Sequence, residues 1–340
     1  MITIKENVSL KLHSTMRLGG TARYVCDIDS EEDLLEALSF ANTHHIPVRA
    51  IGEGSNVFWL DEGYSGLLLC MKIQGFEVLD DGESASIGAG MEWDQAVEKS
   101  VSVGLSGLEC LSLIPGTVGA TPIQNVGAYG VEVHEILSSL RAYDTHEKKF
   151  VVLTNEECQF GYRTSRFKTV DSGRYIITNV TFRLQKTPPK PPFYESLQAY
   201  LDAQEIVDYT ALTIRNAVVA IRSGKMPDPK KVANNGSFFA NPVIEKPQFS
   251  ELQERFPDIK GWEISDGRIK LAAGWLIEKA GFSDFHDQET GMATWHLQNL
   301  VLVNEHATSV HQLIAFRDKI IGAVHDMFGV TLVQEPELLP

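Results

Sequence analysis

Two spacings of apolar residues share the first seventy positions. Tyr24-Val25-Cys26 and Leu67-Leu68-Leu69 are short β-prone runs, each the length of a strand core. Between them, Ser30 and Asp33 stand at capping-box spacing. Leu34, Leu35, Leu38 and Ala41 follow, predicting a helix with those four side chains on its inner face. Pro47 imposes an extended entry into Val48 and the turn-rich stretch IGEGSNVF.

From about 73 to 186 the pattern becomes short strand-like runs punctuated by glycines, with a helix expected near Asp94–Val101. KTPPKPPF, at 186–193, breaks both periods and reads as a semi-rigid arm. A helical pattern covers about Asp208–Ile221, and the polar turn GKMPDPK follows. Further on, Ser309 can cap a long helix carrying Val310, Leu313, Ile314, Phe316, Ile320, Ile321 and Val324, with Gly329 as its stop. A last strand is expected at Val330–Val333. These elements predict an α+β protein in four segments: 1–72, 73–186, 187–327 and a returning tail at 328–340.

Composition narrows the classes without changing that outline. Hydrophobic residues make up 43% and charged residues 22%, as in globular proteins, and no apolar run approaches a bilayer span. No basic region followed by a long apolar run marks the start for export, so the expectation is a cytoplasmic protein with no membrane insertion. A net charge of −15 argues against nucleic-acid binding, and any anionic ligand must find locally concentrated Lys and Arg. Cys26, Cys70, Cys110 and Cys158 lack metal-ligand spacing, so buried thiols and no metal are expected.

Two glycine-rich loops carry the candidate chemistry. Gly52-Glu53-Gly54-Ser55-Asn56 suits either an ordinary tight turn or a nest of amides around an anion. It lacks the three-glycine dinucleotide fingerprint, and no GxxxxGK[ST] loop occurs. SLIPGTVGATPIQNVGAYG, at 112–130, is more informative. It places Gly116, Gly119, Gly127 and Gly130 among Thr117, Thr121, Gln124 and Asn125, with Pro115 and Pro122 as stiffeners. So many small residues cost conformational entropy unless a ligand must approach the backbone.

Here the chain resembles the UDP-N-acetylenolpyruvoylglucosamine reductase family. STMRLGG at 14–20, IGEGSN and IPGTVGATPIQNVGAYG are similar to its FAD-binding half. YRTSRFK, NNGSFFANP, LAAGWLIEKAGF and LVQEPEL are similar to its catalytic and substrate portions. The resemblance implies a two-part FAD-binding unit (1–72 and 73–186) like that of the vanillyl-alcohol-oxidase class, and a separate α+β substrate domain. It implies FAD contacts at Gly52, Glu53, Gly54, Ser55, Asn56, Pro115, Gly116, Thr117, Gly119, Ala120, Gln124, Asn125, Gly127, Ala128 and Tyr129. NADPH would be the hydride donor and the enzyme a monomer.

Three polar residues then acquire roles. By themselves Arg163, Ser237 and Glu335 read as a turn arginine, a turn serine and a solvated terminal acid. The resemblance implies that Arg163 grips the substrate carboxylate, Ser237 donates a proton beside the flavin, and Glu335 polarises the carboxylate and proton network. Tyr194, after the proline arm, matches the tyrosine that covers the substrate phosphates in the family's long form. Lys225 and Lys230, with Arg215 upstream, either bind the diphosphate or lie on a solvated face. The doublet Asn234-Asn235 departs from the family's approach to GSFF, although Asn tolerates left-handed turns, and Asn235 is a candidate substrate contact. An FAD-linked alcohol or sugar oxidase and a non-catalytic nucleotide-sugar sensor are the alternatives. The oxidase lacks an evident flavin-tethering histidine, since His13, His44 and His45 lie outside both loops.

Overall fold

The computed structural model describes residues 2–340. It divides into two compact units. The first holds the residues up to Val8, Ala22–Gly54 and Tyr64–Gly224; the second holds Ser9–Thr21, Ser55–Gly63 and Lys225–Pro340.

The first unit contains two sheets. One orders its strands Lys5–Ser9, Thr21–Ile28, Tyr64–Met71, Val48–Ile51, and the last two each pair in parallel with a neighbour. Leu67, Leu68 and Leu69 are fully buried, because Tyr64–Met71 is an inner strand of that sheet. The crossover helix Glu31–Thr43 starts where expected: the Ser30 side chain accepts the Asp33 amide at 3.1 Å. Its inner face differs from the expectation. Leu34, Ala37 and Ala41 are buried, whereas Leu35 is 44% exposed, one position off that stripe.

The other sheet is antiparallel, in the order Lys149–Thr154, Leu137–Asp144, Tyr175–Arg183, Ser84–Gly88, Phe76–Val78. Helix Trp93–Ser102 anchors beside it through Trp93, whose buried indole donates to the Leu111 carbonyl at 2.8 Å. Arg141 of the antiparallel sheet holds helix Glu31–Thr43 by a bidentate pair with Glu31, at 2.8 and 2.9 Å, and Thr178 donates to the same carboxylate. Tyr143 and Ile176 complete the core of the parallel sheet.

Two helices close this unit. Ala211–Ser223 begins at the Thr210 cap, three residues later than the pattern suggested, and Glu195–Ala203 was not foreseen. Leu197, Leu201, Ile214 and Val218 bury themselves around Cys110, so packing carries the first unit past the arm to Gly224.

In the second unit, Ala233–Ser237, Gln298–Asn304, Met292–Trp295 and His286–Asp287 form an antiparallel sheet. Helix Val310–Phe328 has the expected Ser309 cap, which Gln312 completes as a capping box, and ends at Gly329 with φ +65°. Leu313, Phe316, Ile320 and Val324 meet Phe238, Phe239 and Leu276 in one core, with Met16 and Leu18 from the STMRLGG segment. The expected strand Val330–Val333 is absent. The final strand is instead Glu337–Leu339, pairing in parallel with Val57–Trp59. A short apolar run does not by itself supply a ladder partner: Leu332 is buried, but the run makes only an isolated backbone contact, Ala240 N to Val333 O at 2.9 Å.

All four cysteines are buried and none is in a disulfide, and burial pushes each thiol up to about 12. No helix of the described residues is long and apolar enough to cross a membrane.

Arg174 pairs with Asp144, and its hydrogen bonds hold that carboxyl down at about 2. A depressed carboxyl stabilises the fold above its ordinary value near 3.8, and that stabilisation disappears as pH falls to about 2. Thermal melts of Arg174→Ala should therefore fall furthest below wild type above pH 4, and the gap should narrow towards pH 2. A gap constant across that range would refute the linkage.

Candidate functional site

Most of the loop 112–130 belongs to no long helix or ladder, so its backbone must be paired by its own turns and by neighbours. Segment 91–93 does this at its start: Val118 N donates to Met91 O at 2.9 Å, and Trp93 N to Gly116 O at 2.8 Å. Gly119 lies so close to Ala89 that a Cβ would come within 2.6 Å of the alanine Cβ. A Cβ on Gly52 would run into the Thr117 hydroxyl, so the first glycine loop touches the second at that point.

Asn125 fixes the far half of the loop. Fully buried, it donates to Glu132 at 2.7 Å and to Gly161 O at 3.1 Å, and it accepts the His134 amide at 2.9 Å. Its side chain is thus spent within the protein. Ser165 donates to Ile123 O at 2.6 Å, bringing the YRTS turn alongside. Arg163 sits in that turn with φ +55°. It donates to Gly127 O at 3.0 Å and lies 4.0 Å from Glu132. Tyr129 meets Tyr194 edge-to-face at 6.1 Å, and Tyr194 is half exposed at the start of helix Glu195–Ala203.

In the second unit, four separated stretches converge. The buried Asn235 amide donates to Thr15 Oγ1 and Ser55 O, both at 3.1 Å, and to Val57 O at 3.3 Å. Asn56 donates to Glu335 O at 3.4 Å, and Glu335 N donates to Phe238 O at 2.9 Å. Ser237 and Glu335 therefore lie on neighbouring lengths of backbone. A bulge falls between Asn234 and Ser237, with Gly236 at φ +68°, and resets the pleat just before the serine. The left-handed residue is thus the glycine; neither asparagine of the doublet has a positive φ.

Lys225 and Lys230 have exposed side chains. The Lys225 carbonyl accepts from the Trp295 indole and that of Lys230 from Arg17. Arg215 is not available to a ligand: it is buried in a bidentate pair with Asp94, at 2.7 and 2.9 Å. Arg222 was missed. It donates to Leu113 O at 3.3 Å and borders Tyr129, and its buried Nε has no partner among the described residues. An arginine in the last turn of a helix is too common to have signalled this.

These features fit a dinucleotide such as FAD, whose diphosphate requires close backbone approach. Gly52 and Gly119 already lie against their neighbours, and Thr117 and Gln124 supply polar side chains beside them. No cluster of His, Cys, Asp or Glu among the described residues could hold a metal ion.

Gly52→Ala should cost about 1–3 kcal/mol in urea unfolding, because its methyl overpacks against Thr117. Adding Thr117→Ala should recover most of that loss. Equal stability of the two variants would place the clash elsewhere.

Comparison with known proteins follows the division between loops and tail. Residues 22–149 match the model of an FAD binding domain. Residues 228–339 match the C-terminal domain of UDP-N-acetylenolpyruvoylglucosamine reductase. A reductase of that name from Ralstonia nicotianae is 41% identical, covering 100% of both chains. Another from Pseudomonas aeruginosa is 39% identical over 99% of each. The crystal structure of the reductase from Thermus caldophilus shares the fold, with a TM-score of 0.69 at 22% identity over the whole of both chains. With both halves matched in order and relatives aligned from end to end, the chain belongs to the UDP-N-acetylenolpyruvoylglucosamine reductase family.

Proposed function

We propose that the chain is an NADPH-dependent, FAD-containing reductase converting UDP-N-acetylenolpyruvoylglucosamine to UDP-N-acetylmuramate in peptidoglycan precursor synthesis. The observation that carries this is the end-to-end likeness to reductases of that name. FAD, when bound, would supply the redox chemistry, hydride transfer from NADPH to the enolpyruvyl double bond.

The chain's own residues bind, orient and move protons. We assign the FAD to loops 52–56 and 115–129, through backbone groups and the side chains of Ser55, Thr117 and Gln124. Arg163 pairs with the substrate carboxylate. Its guanidinium spends one N–H on Gly127 O, and that bond orients the fork. Ser237 holds at Oγ the proton destined for the second alkene carbon. Glu335, on the adjacent length of backbone, organises the proton network.

Tyr194, packed on Tyr129, and Lys225 and Lys230 are assigned to the diphosphate. Asn235 is assigned to substrate: its buried Oδ1 has no protein partner among the described residues. In functional terms, 1–72 and 73–186 serve FAD, 187–327 serves substrate, and 328–340 returns Glu335. The working unit is a monomer.

Ser237→Ala should bind FAD and bleach with NADPH at the wild-type rate, then reoxidise with substrate roughly 10²–10⁴-fold more slowly. Ser237→Cys should restore part of that second rate. Stopped-flow absorbance separates the stages, and wild-type reoxidation in the alanine variant would sink the donor assignment. Arg163→Ala should also retain FAD and slow the same stage on the order of 10²-fold or more. Loss of FAD from a folded Arg163→Ala would reassign that residue to the cofactor. Rapid reoxidation of the wild-type flavin by oxygen, with turnover of an alcohol, would replace the reductase with an oxidase.

A further inference from the structure

Asp94, in the first turn of helix Trp93–Ser102, carries three hydrogen bonds. Oδ1 accepts from Arg215 Nη1 and from the Leu113 amide, both at 2.7 Å, and Oδ2 accepts from Arg215 Nη2 at 2.9 Å. Leu113 is left-handed, at φ +56°, a conformation that a bulky side chain rarely adopts unless its surroundings impose it. Its carbonyl accepts from Arg222 at 3.3 Å, so both polar groups of the residue are held by side chains. Three positions later, Gly116 O takes the Trp93 amide. The first turn of one helix thus grips the loop on either side of Ile114-Pro115. Burial pushes the Asp94 carboxyl up, but the Arg215 and Leu113 bonds outweigh it and leave the group below its usual range. Arg215 itself is 8% exposed and occupied by this pair.

We propose that Asp94, oriented by Arg215, is a positioning residue for FAD. By holding the Leu113 amide, it fixes the left-handed entry from which Pro115, Gly116 and Thr117 are presented to the cofactor. This rests on the assignment of loop 112–130 to FAD. If the Leu113 amide lost its acceptor, a partly buried donor would be left unpaired, and the residue would relax towards ordinary backbone geometry. The loop would then start along a different path. Arg215 supplies the counter-charge that keeps the carboxylate ionised and points both its oxygens.

The decisive comparison is between two variants that both remove the buried ion pair. D94N/R215M keeps an oxygen acceptor for Leu113 N, whereas D94L/R215M does not. FAD affinity is measured by fluorescence titration, together with the visible spectrum of bound flavin, at a temperature where circular dichroism shows both variants folded. D94N/R215M should bind FAD within about threefold of wild type, and D94L/R215M at least about tenfold more weakly, with a shifted flavin band. A pair that serves stability alone would lower both melting temperatures and leave the two affinities equal, which overturns the proposal. G116V, which lies outside both helices, tests the loop assignment separately. Wild-type FAD affinity in G116V overturns that assignment and this proposal together. Weak binding by G116V with equal affinities in the two double variants overturns the positioning role alone. Should D94L/R215M fail to fold, the Leu113 amide of the wild-type apoprotein decides: slow hydrogen exchange supports the clamp, and fast exchange overturns it.

Discussion

An irregular loop brought close to its neighbours must have its peptide groups paired by its own turns or by the segments beside it, and the first unit is organised around that constraint. Residues 112–130 draw partners from Met91–Asp94 at one end and from the YRTS turn at the other, with Asn125 between them. Glycines at 116, 119 and 127 allow the approach, and buried polar side chains set its path. The cost of ordering such a segment is offset in part because Val118 is buried in the core that also holds Trp93 and the antiparallel sheet.

The second unit meets a similar demand with one buried amide. Asn235 reaches the Thr15 side chain and the carbonyls of Ser55 and Val57. The parallel pair Val57–Trp59 with Glu337–Leu339 brings the tail alongside that stretch. A residue with several donors and acceptors on one short side chain is an economical junction where stretches meet without a continuous ladder. The bulge at Gly236 then turns Ser237 out of the asparagines' pleat while Phe238 and Phe239 go into the core.

Charge follows the same local logic. The chain is strongly acidic, yet its half-buried arginines are matched with particular carboxylates: Arg141 with Glu31, Arg174 with Asp144, Arg215 with Asp94. Each pair satisfies several N–H groups of the guanidinium fork, which is what makes burial of the charge tolerable. Arg163 and Arg222 also donate to carbonyls of the glycine-rich loop, Gly127 O and Leu113 O, and so bring positive charge beside the candidate ligand surface.

Local physics made a good part of this legible in the residues alone. The Ser30 and Ser309 caps, the Gly329 stop, the inner strand at Leu67–Leu69 and the glycine loops each depend on neighbours within a few positions. Family motifs singled out Arg163, Ser237 and Glu335 in the same way, as short strings of unusual composition. What stayed hidden were choices made by distant partners. Leu35 and Ala37 exchanged places because the packing surface lay a fraction of a turn from the most hydrophobic stripe. Val330–Val333 found no ladder while Glu337–Leu339 did, because Val57–Trp59 offered its edge to the later segment. Arg215 looked like a phosphate ligand until Asp94, 121 positions away, claimed its guanidinium. A side chain's hydrogen-bond partner is a property of three-dimensional neighbours, so the sequence determined which groups could act and only the tertiary structure decided which were already engaged.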